Sequence, residues 1–177
     1  MKRPSIVVAG FWALIVCAGA AHAQVDETPC LAIFPVELWD TSGTVAPPHG
    51  VVEAERLGRA TESLARTLEA EGVGRPVDLA MFDHKIAAAE PFYKCEGCYL
   101  PIAREAGARF AVVSTIHKAS SLISTLDVAI VDVASGKVLA EGVSQFRGDG
   151  AEATERSINF LVKSRLLTDS ARAALAH

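Results

Sequence analysis

The 177-residue sequence has no cluster of lysine and arginine: 17 basic residues are spread among 21 acidic ones, for a formal charge of −4. Phosphate backbones are held by grouped basic side chains, so nucleic acid is not an expected partner. There is no Gly-x-Ser-x-Gly nucleophile elbow; the nearest approach, Ala134-Ser135-Gly136, reads as a hairpin turn. There is no Gly-x-Gly-x-x-Gly and no phosphate loop. Scattered Ser, His and Asp assemble no hydrolase motif. These absences argue against an enzyme and against a bound cofactor. Internal repeats and low-complexity linkers are also missing, which points to one domain. Cysteine is sparse, with Cys17, Cys30, Cys95 and Cys98 the only four.

What is present begins with an export address. Met1-Lys2-Arg3 is a short positive region, residues 6–20 are apolar, and Ala21-His22-Ala23 is a small-residue cleavage site. This reads as a signal peptide over residues 1–23 followed by a single domain over 24–177. The apolar run is short for a membrane span and no positive stop follows it, so secretion is expected, with no span left after cleavage. Val16 is not the small residue that lipoprotein processing at Cys17 would want. The periplasm is the expected destination. Removing Lys2 and Arg3 leaves the domain more acidic still, and removing Cys17 leaves an odd number of thiols in an oxidising compartment.

The pattern predicts a first strand over residues 30–38, with Pro35 at an edge, a bulge or the strand end because it cannot donate a ladder hydrogen bond. Residues 51–71 are the clearest helix: Leu57, Ala60, Leu64 and Leu68 recur at helical spacing, Glu53 and Glu55 suit the first turn, and Gly72 ends it. A short strand is predicted over 76–82, a short helix from Asp83 to residue 89, a loop over 90–97 and a helix over 99–106 with Pro101 in its first turn. Three strands follow over 110–114, 126–133 and 138–146, the last two joined through Gly136. A closing helix is predicted over 151–166 with Asp149 as its cap, and 168–177 reads as further helix or frayed end. The expected architecture is α/β (α+β): a mixed β-sheet with one parallel βαβ unit, then an antiparallel meander, with helices on the sheet.

The segments LAIFPVEL and DTSG, the long helix, CEGC, GARFAVVSTIHKASSLI, LDVAIVDVASGKVL and SQFRGD run in the order seen in an exported bacterial domain family of uncharacterised function. That family resembles the amino-terminal α/β domain of TolB and the CsgG-like domains. The resemblance implies the same mixed α/β fold, a periplasmic binding or assembly role, and no catalytic residues. It also implies a context beside quinoprotein alcohol-oxidation systems. The family pattern has Arg-Gly-Asn-Thr near the last turn, and this chain departs from it with Arg147-Gly148-Asp149-Gly150.

Several residues are candidates for chemistry or docking. Cys95 and Cys98, three apart, could bond to each other, bridge to Cys30 as a loop staple, cycle in redox exchange or ligate a metal. A zinc site needs four ligands; Cys30, His84 and His49 are the other candidates, and no second Cys-x-x-Cys exists. His117 and Lys118 read as a solvated strand end. Asp127 and Asp132, five apart on one strand, are expected on opposite faces, which argues against a carboxylate pair. Arg147 and Asp149 could grip a partner carboxylate or clamp their own turn, for instance through Glu152. Trp39 and Asp40 begin a loop that could anchor a partner. The expected role is an accessory domain that binds another periplasmic protein or a small ligand through the 39–44 loop and the 147–150 turn. The alternative is thiol-disulfide or metal handling through Cys95 and Cys98.

Overall fold

The computed structural model describes residues 28–43, 50–148 and 150–176. Residues 1–23, where a signal peptide is expected, lie outside the described residues, as do His49 and Asp149. Six strands form one mixed sheet: β1 (Cys30–Ile33), β2 (Glu37–Asp40), β3 (Arg75–Pro76), β4 (Phe110–Lys118), β5 (Ile123–Asp132) and β6 (Val138–Arg147). The order is β3-β1-β4-β5-β6, and β2 also pairs with β4. The helices are α1 (Val51–Ala70), α2 (Asp83–Ala89), α3 (Leu100–Glu105), α4 (Ala151–Leu161) and α5 (Asp169–Leu175).

β1, α1 and β3 form the parallel crossover, with Cys30 opposite Arg75. β4, β5 and β6 are the antiparallel meander. The first strand differs from expectation. It is two strands, both parallel to β4, because the chain leaves the ladder around Pro35 and re-enters it at Glu37. At the break, the Val36 amide donates instead to Thr61 Oγ1 on α1, 2.9 Å away. The strand expected over 76–82 is also corrected. Only Arg75–Pro76 pairs, and the chain then tightens into a 3-10 turn at Ala80–Phe82. Asp83 is the first residue of α2 and makes no cap bond; Asp78 Oδ1 accepts from the Ala80 amide one turn earlier. A second 3-10 turn, Phe92–Lys94, lies in the expected loop, after a cis Glu90–Pro91 peptide. α4 stops as an α-helix at Leu161 and continues as a π-helical turn, Val162–Leu166. Its cap is Gly150, with no side-chain bond. α5 starts at Thr168, whose hydroxyl accepts from the Ala171 amide.

Alternation along the strands builds two layers. On one face Leu31, Ile33, Phe110, Val112, Ile116, Leu126, Val128 and Ile130 meet Leu64 and Leu68 of α1 and Ile158 and Leu161 of α4. The α1 stripe is as its spacing predicts, and Arg56 is also buried at its start, paired with Glu53. On the other face Ala32, Phe34, Ala111 and Val131 are covered by Phe82, Ile86, Phe92, Ile102 and Ala103. This second cover is shorter than the sheet. It leaves the ends of β2, β4, β5 and β6 open on that side.

Candidate docking face

The open area is built from alternate residues of four neighbouring strands. Trp39 pairs with His117, His117 with Thr125, and Thr125 with Gln145; the next row is Glu37, Thr115, Asp127 and Val143. Residues directly paired across a ladder share a face, so both rows point the same way. Trp39 is 44% exposed and Val143 50%.

Two rings pack against Trp39. Its ring stacks on His117 at 4.2 Å between centroids and on Tyr93 at 5.8 Å. His117 is fixed in turn by Thr41, whose Oγ1 lies 2.8 Å from Nε2. Tyr93 comes from the loop between α2 and α3, and Glu37 pins that loop. The Glu37 carboxylate accepts from the amides of Phe92 (2.7 Å) and Tyr93 (3.2 Å). Burial pushes the Glu37 carboxyl up, and the two amide bonds pull it back down. Tyr93 separates two hollows. One, about 110 Å³, lies over Thr115, Asp127 and Glu141. The other, about 630 Å³, runs beside the outer edge of β2, against Leu57, Gly58 and Thr61 of α1 and Glu90.

Cys95 and Cys98 are bonded to each other, and Cys30 is a free, half-buried thiol at the start of β1. Of the pairings the sequence leaves open, the pair bonds to itself and not to Cys30, closing a four-residue loop just after Tyr93. Both cysteines pack against the second face. No group of three or more His, Cys, Asp or Glu able to hold a metal occurs among the described residues.

The other sequence candidates separate. Asp40 alternates to the opposite face from Trp39 and meets Lys118 at 3.6 Å. Hydrogen bonds from the Ser42 side chain and amide hold its carboxyl below the ordinary range. His117 and Lys118 are thus engaged side chains and not a solvated strand end. Asp127 lies in the open face, whereas Asp132 on the other face forms the hairpin turn, accepting from the Ser135 amide and hydroxyl at 2.7 and 2.6 Å. Arg147 shares the open face but sits on β6, three strands and about 14 Å from Trp39. It does not clamp Glu152, which pairs with Arg156. Trp39 and Arg147 therefore do not converge on one point. Tyr93 and Val143 were not among the sequence candidates. Val143 is readable from the alternation of β6, but nothing local in the sequence says that Tyr93 reaches a tryptophan more than fifty residues earlier.

No curated protein matches the chain. Among solved structures, the LpoB C-terminal domain from Salmonella enterica aligns at 18% identity, over 70% of this chain and 85% of that one, with a TM-score of 0.49. The PelC dodecamer from Paraburkholderia phytofirmans aligns at 12% identity, over 80% and 92%, with a TM-score of 0.49. Lipoprotein GNA1162 from Neisseria meningitidis aligns at 12% identity, over 70% and 83%, with a TM-score of 0.47. Residues 29–166 match a family model, and the chain belongs to that family, DUF3280, described as "Protein of unknown function (DUF2380)".

Proposed function

We propose that this chain is an exported, non-catalytic accessory module that docks a protein of the cell envelope on the open sheet face around Trp39. The observation that carries this reading is the braced tryptophan. A half-exposed indole stacked on both His117 and Tyr93 loses little conformational freedom on binding, which is what an interface anchor requires. Thr115, Thr125 and Gln145 beside it offer a polar rim, and Val143 extends the apolar contact. The export signal of residues 1–23 and the resemblance to TolB-like domains favour a periplasmic partner; no feature of this face points to a quinoprotein. The thiol-disulfide alternative draws on the Cys95–Cys98 bond and its Cys-x-x-Cys spacing.

The test is a photo-cross-linking residue placed at Thr125, on the open face, and separately at Arg66, on the exposed side of α1. In exporting cells a discrete heteromeric adduct is expected at Thr125 and not at Arg66. Trp39→Ala should weaken it, at a hot-spot cost of about 2 kcal/mol or roughly 30-fold in affinity. Equal adducts at both positions, no adduct, or an adduct indifferent to Trp39→Ala would each refute the reading.

A further inference from the structure

β6 is ten residues long and ends the sheet; among the described residues no strand covers its outer side. Such an edge invites pairing unless proline, lysine, a bulge or a cover blunts it. Val138–Arg147 holds no proline and no lysine, and the one irregularity of the β5–β6 ladder lies at Ile130/Val131, towards the start of β6. Apolar surface gathers beside this edge. Val138 is 49% exposed, Val143 50%, and Phe160 of α4 51%. A cleft of about 290 Å³ lies between Phe160 and residues 144–147.

The hydrogen-bond phase of the edge can be read from its ends. The Ala119 amide donates to the Ile123 carbonyl, so odd-numbered residues of β5 bond towards β4 and even-numbered ones towards β6. The Gly148 amide donates to Leu122, in keeping with even-numbered residues of β6 bonding inward. The amides and carbonyls of Glu141, Val143, Gln145 and Arg147 therefore point outward. Their side chains all lie on the open face, and among the described residues neither Glu141 nor Arg147 is in an ion pair.

We propose that β6 pairs antiparallel with β6 of a second copy of this chain, about a twofold axis at Ser144, so that Glu141 of each copy faces Arg147 of the other. Outward residues must meet outward residues, which limits the register to steps of two. With the axis one residue earlier, at Val143, Glu141 meets Gln145 and Arg147 meets Leu139. With the axis one residue later, at Gln145, Arg147 meets Val143. Only the axis at Ser144 sets opposite charges against each other, and the twofold does so twice. It also sets Val143 of each copy against Gln145 of the other, and it brings no like charges together.

The test is sedimentation velocity on the full chain purified after export, from micromolar to about 0.1 mM. Dimer is expected for the wild type. Glu141→Arg and Arg147→Glu alone should each weaken it at least roughly tenfold, because each sets two pairs of like charges together. Glu141→Arg with Arg147→Glu should restore it. Both positions are exposed, so circular dichroism will show each variant folded. A monomer throughout, a dimer indifferent to the single reversals, or a double variant that stays monomeric would overturn the proposal. Because the partner on the Trp39 face would be a different protein, a heteromeric adduct at Thr125 and self-association at β6 succeed or fail separately.

Discussion

Asp127 sits where the open face meets its cover, and its titration should show in stability. Burial pushes its carboxyl above the ordinary range, Glu141 on β6 pushes the same way, and His117 on β4 pulls it down. The folded chain therefore holds this proton more tightly than the unfolded chain. The resulting stability is full in acid and is lost as pH rises from the ordinary carboxylate range through the raised pKa. Glu37 and Glu90, also raised by burial, act with the same sign. Asp127→Asn should reduce the fall in stability across that window and melt no lower than wild type at neutral pH. Thermal melts from acid to neutral pH measure it; an unchanged slope would mean that Asp127 titrates as it does in the unfolded chain.

Among the elements, α1 has the plainest energetic role. Leu64 and Leu68 are fully buried against the sheet, so Leu64→Ala should cost about 2–5 kcal/mol in urea unfolding. A loss under about 1 kcal/mol would mean that the helix can settle into the space. This helix was legible in the sequence because its stripe is a local, periodic signal. The meander was legible for the same reason, with Gly136 at φ +72° in the turn where the chain reverses. The structure departs from the local pattern where distant parts of the chain supply a partner or withhold one. The apolar run over residues 30–38 breaks around Pro35, where the sequence expects an edge, bulge or strand end, and the Val36 amide bonds to α1 instead. Residues 76–82 look like a strand, but of these only Pro76 pairs in the sheet, as the end of β3. At the docking face, Trp39 could be named from the sequence, while Tyr93 is brought to it by the carboxylate of Glu37. Asp40 follows Trp39 in sequence yet faces away, a consequence of strand alternation that becomes decisive only once residues 37–40 are known to be a strand.

At the scale of the whole molecule, the cysteines among the described residues form one bridge and leave one thiol. For protein exported and cleaved before Gln24, thiol titration under denaturing conditions should find one group, Cys30, before reduction and three after. Peptide mapping should recover Cys95 joined to Cys98. Three thiols without reduction would revive redox cycling at this pair, and a bridge to Cys30 would mean that the loop carrying Tyr93 is tethered to β1.

One side of the sheet is clad along its length and the other only in part, and the two sides therefore answer to different selection. Leu126 and Ile130 are constrained by the chain itself, since any lineage that loses them loses the fold. Trp39 and Val143 stand outside that constraint. In a lineage whose partner disappears, they are free to drift to polar residues while the scaffold beneath persists, so that a family can keep its architecture and change its allegiance.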